Sequence, residues 1–323
     1  MLLDVLHETR YRYRPVVETA QHMAYLTPRN HAGQQVVSHA LAIAPFPAQQ
    51  KDGADVYGNT RTFFSLQAPH DVLLVAAHSQ VRTREYALPQ SAIVWEAARE
   101  ALRYQAGAPF DAASEFVYAS PFVPRHPDFA AYARPSFAPG APLLESVCHL
   151  MQRMHTDFRY ESESTEINTP ALQALQERHG VCQDFAHIML GCLRSLGLPG
   201  RYVSGYLLTE AAPGQTKLVG SDASHAWISV YLADLPEGAR WCDFDPTNNR
   251  WAWHAPGADY VTLAIGRDFG DVSPLKGVIH GGASHTLSVA VTVQAIGDNA
   301  APALRGAQTS SSSQSQSQSQ SQS

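Results

Sequence analysis

Three short stretches carry residues able to do nucleophilic chemistry: HGVCQDFAH around Cys182, SDASHAWISVYL around His225 and RWCDFDPTNN around Asp245. Cys182 follows a glycine break at Gly180 and opens an apolar run. In that run Phe185, Ala186, Met189, Leu190, Leu193 and Leu196 step by three and four, the spacing of a buried helix. A thiol at a helix N-terminus lies at the positive end of the helix dipole, which favours the thiolate. The unpaired N–H groups of the same first turn can face a carbonyl oxygen that is gaining negative charge. A cysteine that attacks an acyl carbon needs both. The competing reading of Cys182 is a small, inert core thiol.

A cysteine nucleophile also needs a base, and the base needs a group to orient it. His225 opens a strand in which His225, Trp227, Ser229 and Tyr231 share one face while Ala226, Ile228, Val230 and Leu232 share the other. Asp245 ends a strand just before Pro246, a rigid place to hold a carboxylate against an imidazole. Cysteine, histidine and aspartate in that order, each at the end of an element, make a nucleophile, a base and an orienter. Asp243 points the same way as Asp245 on a regular strand, and Asp245 is preferred because the proline fixes the strand end. Gln183 and Asp184 read as first-turn residues suited to a helix N-terminus, with contact to substrate as the alternative. Trp227, on the face of His225, is a further candidate for the substrate surroundings.

The elements that must position these residues are legible as changes of period. Leu3, Val5, His7, Thr9, Tyr11 and Tyr13 alternate with Asp4, Glu8, Arg10 and Arg12, the pattern of a strand. Further strand-like runs, QQVVSHALAIAP, TRTFFSL and DVLLVAAHSQVRT, are separated by Gly, Pro and Asn signals and predict a β-sandwich over residues 1–88. Residues 89–142 hold one helical segment and a proline-rich passage, and read as a connection over the surface of the catalytic half. Residues 143–296 are expected to form an α+β catalytic domain. It begins with a helix burying Leu144, Val147, Cys148, Met151 and Met154, and its late strand, HTLSVAVTVQA, could rejoin a sheet. Before Cys182, Thr169 is expected to cap a helix with Pro170 at its first position, and Gly180 to end it in a left-handed conformation. Residues 297–323 are expected to be a disordered tail, which from Ser310 is only Ser and Gln and cannot form a core.

Composition excludes several classes of function. The chain has 323 residues, 45 % of them hydrophobic and 16 % charged, with a formal net charge of −6 and no block of like charge. Neither nucleic acid nor an anionic membrane surface is expected as a partner. No apolar stretch is long enough to span a bilayer and the start has no apolar signal region, so a cytoplasmic location is expected. Cys148, Cys182, Cys192 and Cys242 are widely spaced, without a CxxC pair or zinc-type spacing, so no disulfide framework, metal or cofactor is expected.

GVCQDFAHIMLGCLRSLGLPGRYVSGYL, DASHAW and DFDPTNN together resemble the core of bacterial transglutaminase-like proteins, members of the papain-like superfamily. HETRYRYRPV, YLTPRN and DVYGNTRTFF are similar to the β-rich N-terminal region of those proteins, and GRDFGDVSPLKGV to their stretch after the aspartate. The resemblance implies a papain-like catalytic domain behind an N-terminal β-sandwich. It also implies Cys182 as nucleophile, His225 as general base and acid, and Asp245 as orienting carboxylate. An aromatic residue upstream of the nucleophile lies near the acyl site in related enzymes, and Tyr160 in DFRYES is its counterpart. The expected chemistry is attack on an amide carbonyl, loss of an amine and resolution of a thioester. Hydrolysis of a peptide, isopeptide or related amide is favoured; transfer to an amine, as in a transglutaminase, is the alternative, and a non-catalytic binding module on the same fold the second alternative. No calcium loop of the DxDxDG kind occurs, which argues against a calcium-dependent crosslinker. Oligomeric state is left open.

Overall fold

The structure, a computed structural model, describes residues 1–88, 90–104, 106–107, 110–161, 169–209, 224–282 and 284–297. The Ser/Gln tail lies outside the described residues. The chain opens with strands β1 (Leu2–Ala24), β2 (Gln34–Ala44), β3 (Gln49–Ala54), β4 (Thr60–Leu66) and β5 (His70–Thr83). Helices α1 (Trp95–Ala101), α2 (Pro127–Ala133) and α3 (Leu143–Asp157) follow, then the two-residue strand β6 (Arg159–Tyr160), α4 (Ala171–Glu177), β7 (His179–Gly180) and α5 (Cys182–Ser195). Strands β8 (Gly200–Leu207), β9 (Ser224–Tyr231), β10 (Trp241–Asp245), β11 (Arg250–Trp253) and β12 (Tyr260–Gly266) come next. The short helix α6 (Phe269–Val272) leads to β13 (Leu275–Gly281) and β14 (Ser284–Ile296). Among the described residues no helix is long and apolar enough to cross a membrane.

The fold is α+β with a β-rich N-terminal region, and the alternation in β1 holds: Leu3, Val5, His7, Thr9, Tyr11 and Tyr13 are buried, and the charged residues between them are not. The region is one seven-stranded sheet rather than two separate ones. Residues 2–12 of β1 pair with β5 and β14, whereas residues 20–24 pair with β4 and β13. The partners change around Pro15, which has no N–H to give to a ladder. Both wings feed one core, where Leu3, Val5 and Tyr11 meet Val17, Phe64 and Leu66, so a single shared strand does the work expected of a sandwich. The late strand does rejoin a sheet, and it is the N-terminal one. Residues 1–88 therefore do not complete that region alone, because β1 needs β13 and β14 on its other edge.

The second half of the chain is built on a five-stranded antiparallel sheet in the order β11-β10-β9-β8-β12. Helix α5 packs on the face of β9 that carries Ala226, Ile228 and Val230. It is buried nearly all round from Asp184 to Arg194, more than a one-sided stripe would require. Part of the reason is α2. Phe129 and Ala133 are wholly buried in the same core, and a methyl group added at Gly191 of α5 would lie 2.9 Å from the Phe129 ring. Residues 127–137 are thus built into the core, not laid over its surface; the prolines that suggested a connection start and stop short helices.

The two halves are joined by polar side chains as well as by apolar packing. The Asn59 amide donates to Ile265 O at 2.7 Å and accepts from Ile265 N at 2.9 Å. The Gln34 amide does the same with Thr262, at 2.7 Å in both directions. These buried amides satisfy backbone groups of β12 that a further strand would otherwise pair.

Candidate active site

Cys182 is the first residue of α5 and is half-buried. Its helix is prepared by a tight approach. Asp184 is buried and its Oδ2 accepts the Val181 N–H at 2.9 Å, closing the turn that brings the chain into α5. A methyl group at Gly180 would lie 2.6 Å from that oxygen and 2.9 Å from Asp184 Cβ, so the glycine makes room for the carboxylate. This differs from the expected helix-ending role of Gly180. Helix α4 ends at Arg178, which itself adopts the left-handed conformation (φ 59°), and Pro170, rather than Thr169, stands at the capping position. Helix ends are set by which backbone groups find partners, which spacing alone leaves one or two residues open.

His225 is the second residue of β9 and Asp245 the last of β10, so the antiparallel pairing of the two strands brings these ends together. His225 Nε2 donates to Asp245 Oδ2 at 2.7 Å, and the same imidazole lies close enough to Cys182 to feel its charge. With Nε2 on the carboxylate, the other ring nitrogen serves the thiol. The His225 side chain is 10 % exposed and that of Asp245 is fully buried.

Asp243 does share the direction of Asp245, but its partners are different. Trp227 Nε1 donates to Asp243 Oδ2 at 2.8 Å and Ser229 Oγ donates to Oδ1, both from the face of β9 that also carries His225. Trp227 is wholly buried, with its ring 6.1 Å from that of His225, so it braces the imidazole from beneath and has no surface to offer a substrate. Tyr160 sits beside Gly180 through the parallel pair β6–β7, and Glu161 N donates to Gly180 O at 3.0 Å. Tyr160 is 54 % exposed, next to the turn that leads into Cys182. Gln183 occupies the second position of α5, partly buried.

Two participants were not singled out in the sequence. Asn248 Nδ2 donates to Asp245 Oδ2 at 2.7 Å and lies 3.3 Å from His225 Nε2; the NN after DFDPT was its signal. Tyr260 Oη donates to the same Oδ2 at 2.7 Å, and no local pattern marks it. Backbone N–H groups of Thr247 and Asn248 fill Oδ1 at 2.9 and 3.3 Å.

The charges of the pair arise from these contacts. Burial by itself disfavours the imidazolium of His225. The hydrogen bond to Asp245, the closeness of Cys182 and the charges of both outweigh it and hold the pKa up at about 10. Burial likewise disfavours the Asp245 carboxylate, yet the bonds from His225, Asn248 and Tyr260 and the imidazolium charge bring its pKa below the ordinary value. Stability should respond to pH accordingly. The His225 contribution is fully present below about pH 6.5 and is lost as pH rises through about 10, while that of Asp245 is present above the ordinary carboxylate range and lost in acid. The advantage of the wild type over His225→Gln in urea denaturation should therefore be largest near pH 4 to 6.5. It should then shrink by up to about 1.4 kcal/mol per pH unit toward pH 10. A difference that stays flat from pH 6 to 10 would mean that the imidazole is not held charged.

Comparison with known proteins agrees with this architecture. Residues 3–82 match the bacterial transglutaminase-like N-terminal region, and residues 130–246 the transglutaminase-like superfamily core. An uncharacterized protein of Mycobacterium tuberculosis is 39 % identical over 281 residues, covering 85 % of this chain and 87 % of the relative. An uncharacterized protein of Mycobacterium leprae is 32 % identical over 294 residues, covering 90 % and 98 %. The crystal structure of a candidate cysteine protease from Cytophaga hutchinsonii shares the fold, with a TM-score of 0.70 over 95 % of this chain and 94 % of that one at 18 % identity. With both regions matched in order and near full-length relatives on either side, the chain belongs to the bacterial transglutaminase-like family, with a papain-like core.

Proposed function

We propose that this protein is a cysteine amidase that hydrolyses a peptide, isopeptide or related amide bond through a thioester. The observation that carries this reading is one imidazole set between a thiol at a helix N-terminus and a fully buried carboxylate to which it is bonded. His225 holds the proton given up by the Cys182 thiol as an imidazolium, and the Cys182 sulfur adds to the carbonyl carbon. The N–H of Cys182 has no acceptor within the helix and lies where the oxyanion forms. The imidazolium then gives its proton to the departing amine, the C–N bond breaks, and the thioester remains. Water, deprotonated by His225, completes hydrolysis and returns the thiol. The likeness to a structure described as a candidate cysteine protease supports the same chemistry.

Mass spectrometry of the intact protein after brief exposure to a mixed peptide library would test this. The expected result is an acyl adduct on Cys182 that decays in buffer at a rate little changed by added primary amines. Decay that requires the amine would reassign the protein as an acyltransferase. No adduct on Cys182 with any peptide or isopeptide pool would remove the proposal.

A further inference from the structure

Tyr260 is wholly buried in β12, the far edge of the sheet from β10, yet its hydroxyl reaches the carboxylate of the triad. Asp245 Oδ2 accepts three donors, each at 2.7 Å: His225 Nε2, Asn248 Nδ2 and Tyr260 Oη. An oxygen that shares its lone pairs among three donors gives less to each than it would to one. The phenol is also held in place. Its ring meets Trp227 edge-on at 5.4 Å and lies 4.8 Å beneath the Arg250 guanidinium, which Asp259 grips with two bonds of 2.6 and 2.7 Å. Simple core packing would have called for phenylalanine here, with no hydroxyl to satisfy.

We propose that Tyr260 is a positioning residue that sets the proton affinity of His225 by drawing off part of the negative charge of Asp245. This rests on the reading of Cys182, His225 and Asp245 as a working triad. An imidazole that first takes a proton from sulfur and then gives it to an amine works best at an intermediate affinity. A carboxylate paired with His225 alone would hold the proton too firmly. The hydroxyl of Tyr260, fixed by Arg250 and Asp259, moderates that hold. The other titratable and charged groups facing the pair are Cys182 and Asp184 from α5, Tyr160 from β6, Asp243 from β10 and Arg250 from β11.

The test is a histidine titration followed by NMR on protein labelled with [15N]histidine. It is done in a Cys182→Ala background, so that the thiol's contribution to His225 is absent. In that background Asp245→Asn should lower the His225 pKa; if it does not, the triad reading fails whatever Tyr260 does. Given that control, Tyr260→Phe should raise the His225 pKa by about 0.5 to 1 pH unit, because Oδ2 then serves two donors instead of three. A merely structural tyrosine would leave the titration where it was, and an unchanged or lowered value overturns the proposal. Should Tyr260→Phe fail to fold, 3-fluorotyrosine placed at 260 keeps the ring and makes the phenol a stronger donor. It should move the His225 pKa down, and a pKa that does not fall overturns the proposal equally.

Discussion

Asp245→Asn is expected to lower turnover by about two to four orders of magnitude while the protein stays folded. The reason lies in the donors around the carboxylate. Oδ1 faces two backbone N–H groups that cannot rotate, so the asparagine oxygen must turn to them and its NH2 group to the side of His225, Asn248 and Tyr260. Facing an NH2, the imidazole can keep a bond only by accepting at Nε2, which moves its proton to the nitrogen next to Cys182. That tautomer cannot take the thiol proton. Asp243→Asn should cost about tenfold in turnover or less, because Asp243 bonds to Trp227 and Ser229 and not to His225. Its effect should appear instead as a loss of about 1 to 3 kcal/mol of stability, since Trp227 is wholly buried and would face a weakened acceptor. Rates on the substrate found by acyl trapping, with thermal melts as the folding control, separate the two. If Asp243→Asn is the crippling change and Asp245→Asn stays active, the orienting role belongs to Asp243.

Cys182→Ala should have the larger effect, removing about five to six orders of magnitude of turnover and all acyl adduct, because the thioester needs the Cys182 sulfur. Alkylation of the wild type gives the same assignment without a substrate. Burial pushes the Cys148 and Cys192 thiols up to about 12, and Cys242 well above its ordinary value, so all three stay protonated and slow near neutral pH. Cys182 alone among the four has an imidazolium beside it and a helix N-terminus behind it. Iodoacetamide at pH 7, with peptide mapping, should label Cys182 first and leave the others largely intact. Equal labelling of Cys148 or Cys192 would place reactive thiols elsewhere in the fold.

The sequence by itself determined the periods and the chemistry. Alternation specified the buried face of β1, steps of three and four specified α5, and shared parity along β9 put His225, Trp227 and Ser229 on one side. These are local properties, repeated every two or 3.6 residues, and they survive whatever the chain does elsewhere. Parity alone also makes Asp243 and Asp245 alike, and both do point to the same side. What separates them is register: Asp243 lies opposite Ser229, and Asp245 two residues nearer the beginning of β9, where His225 stands. Register belongs to a pair of strands, so one strand's sequence cannot hold it. The same holds for the strands that complete the N-terminal sheet more than 250 residues after β1, and for α2 beneath Gly191. It holds most for Tyr260, whose phenol finds Asp245 three strands away across the sheet. Hydrogen bonds between distant segments are made by packing, and only the folded chain decides which oxygen has to answer to three donors at once.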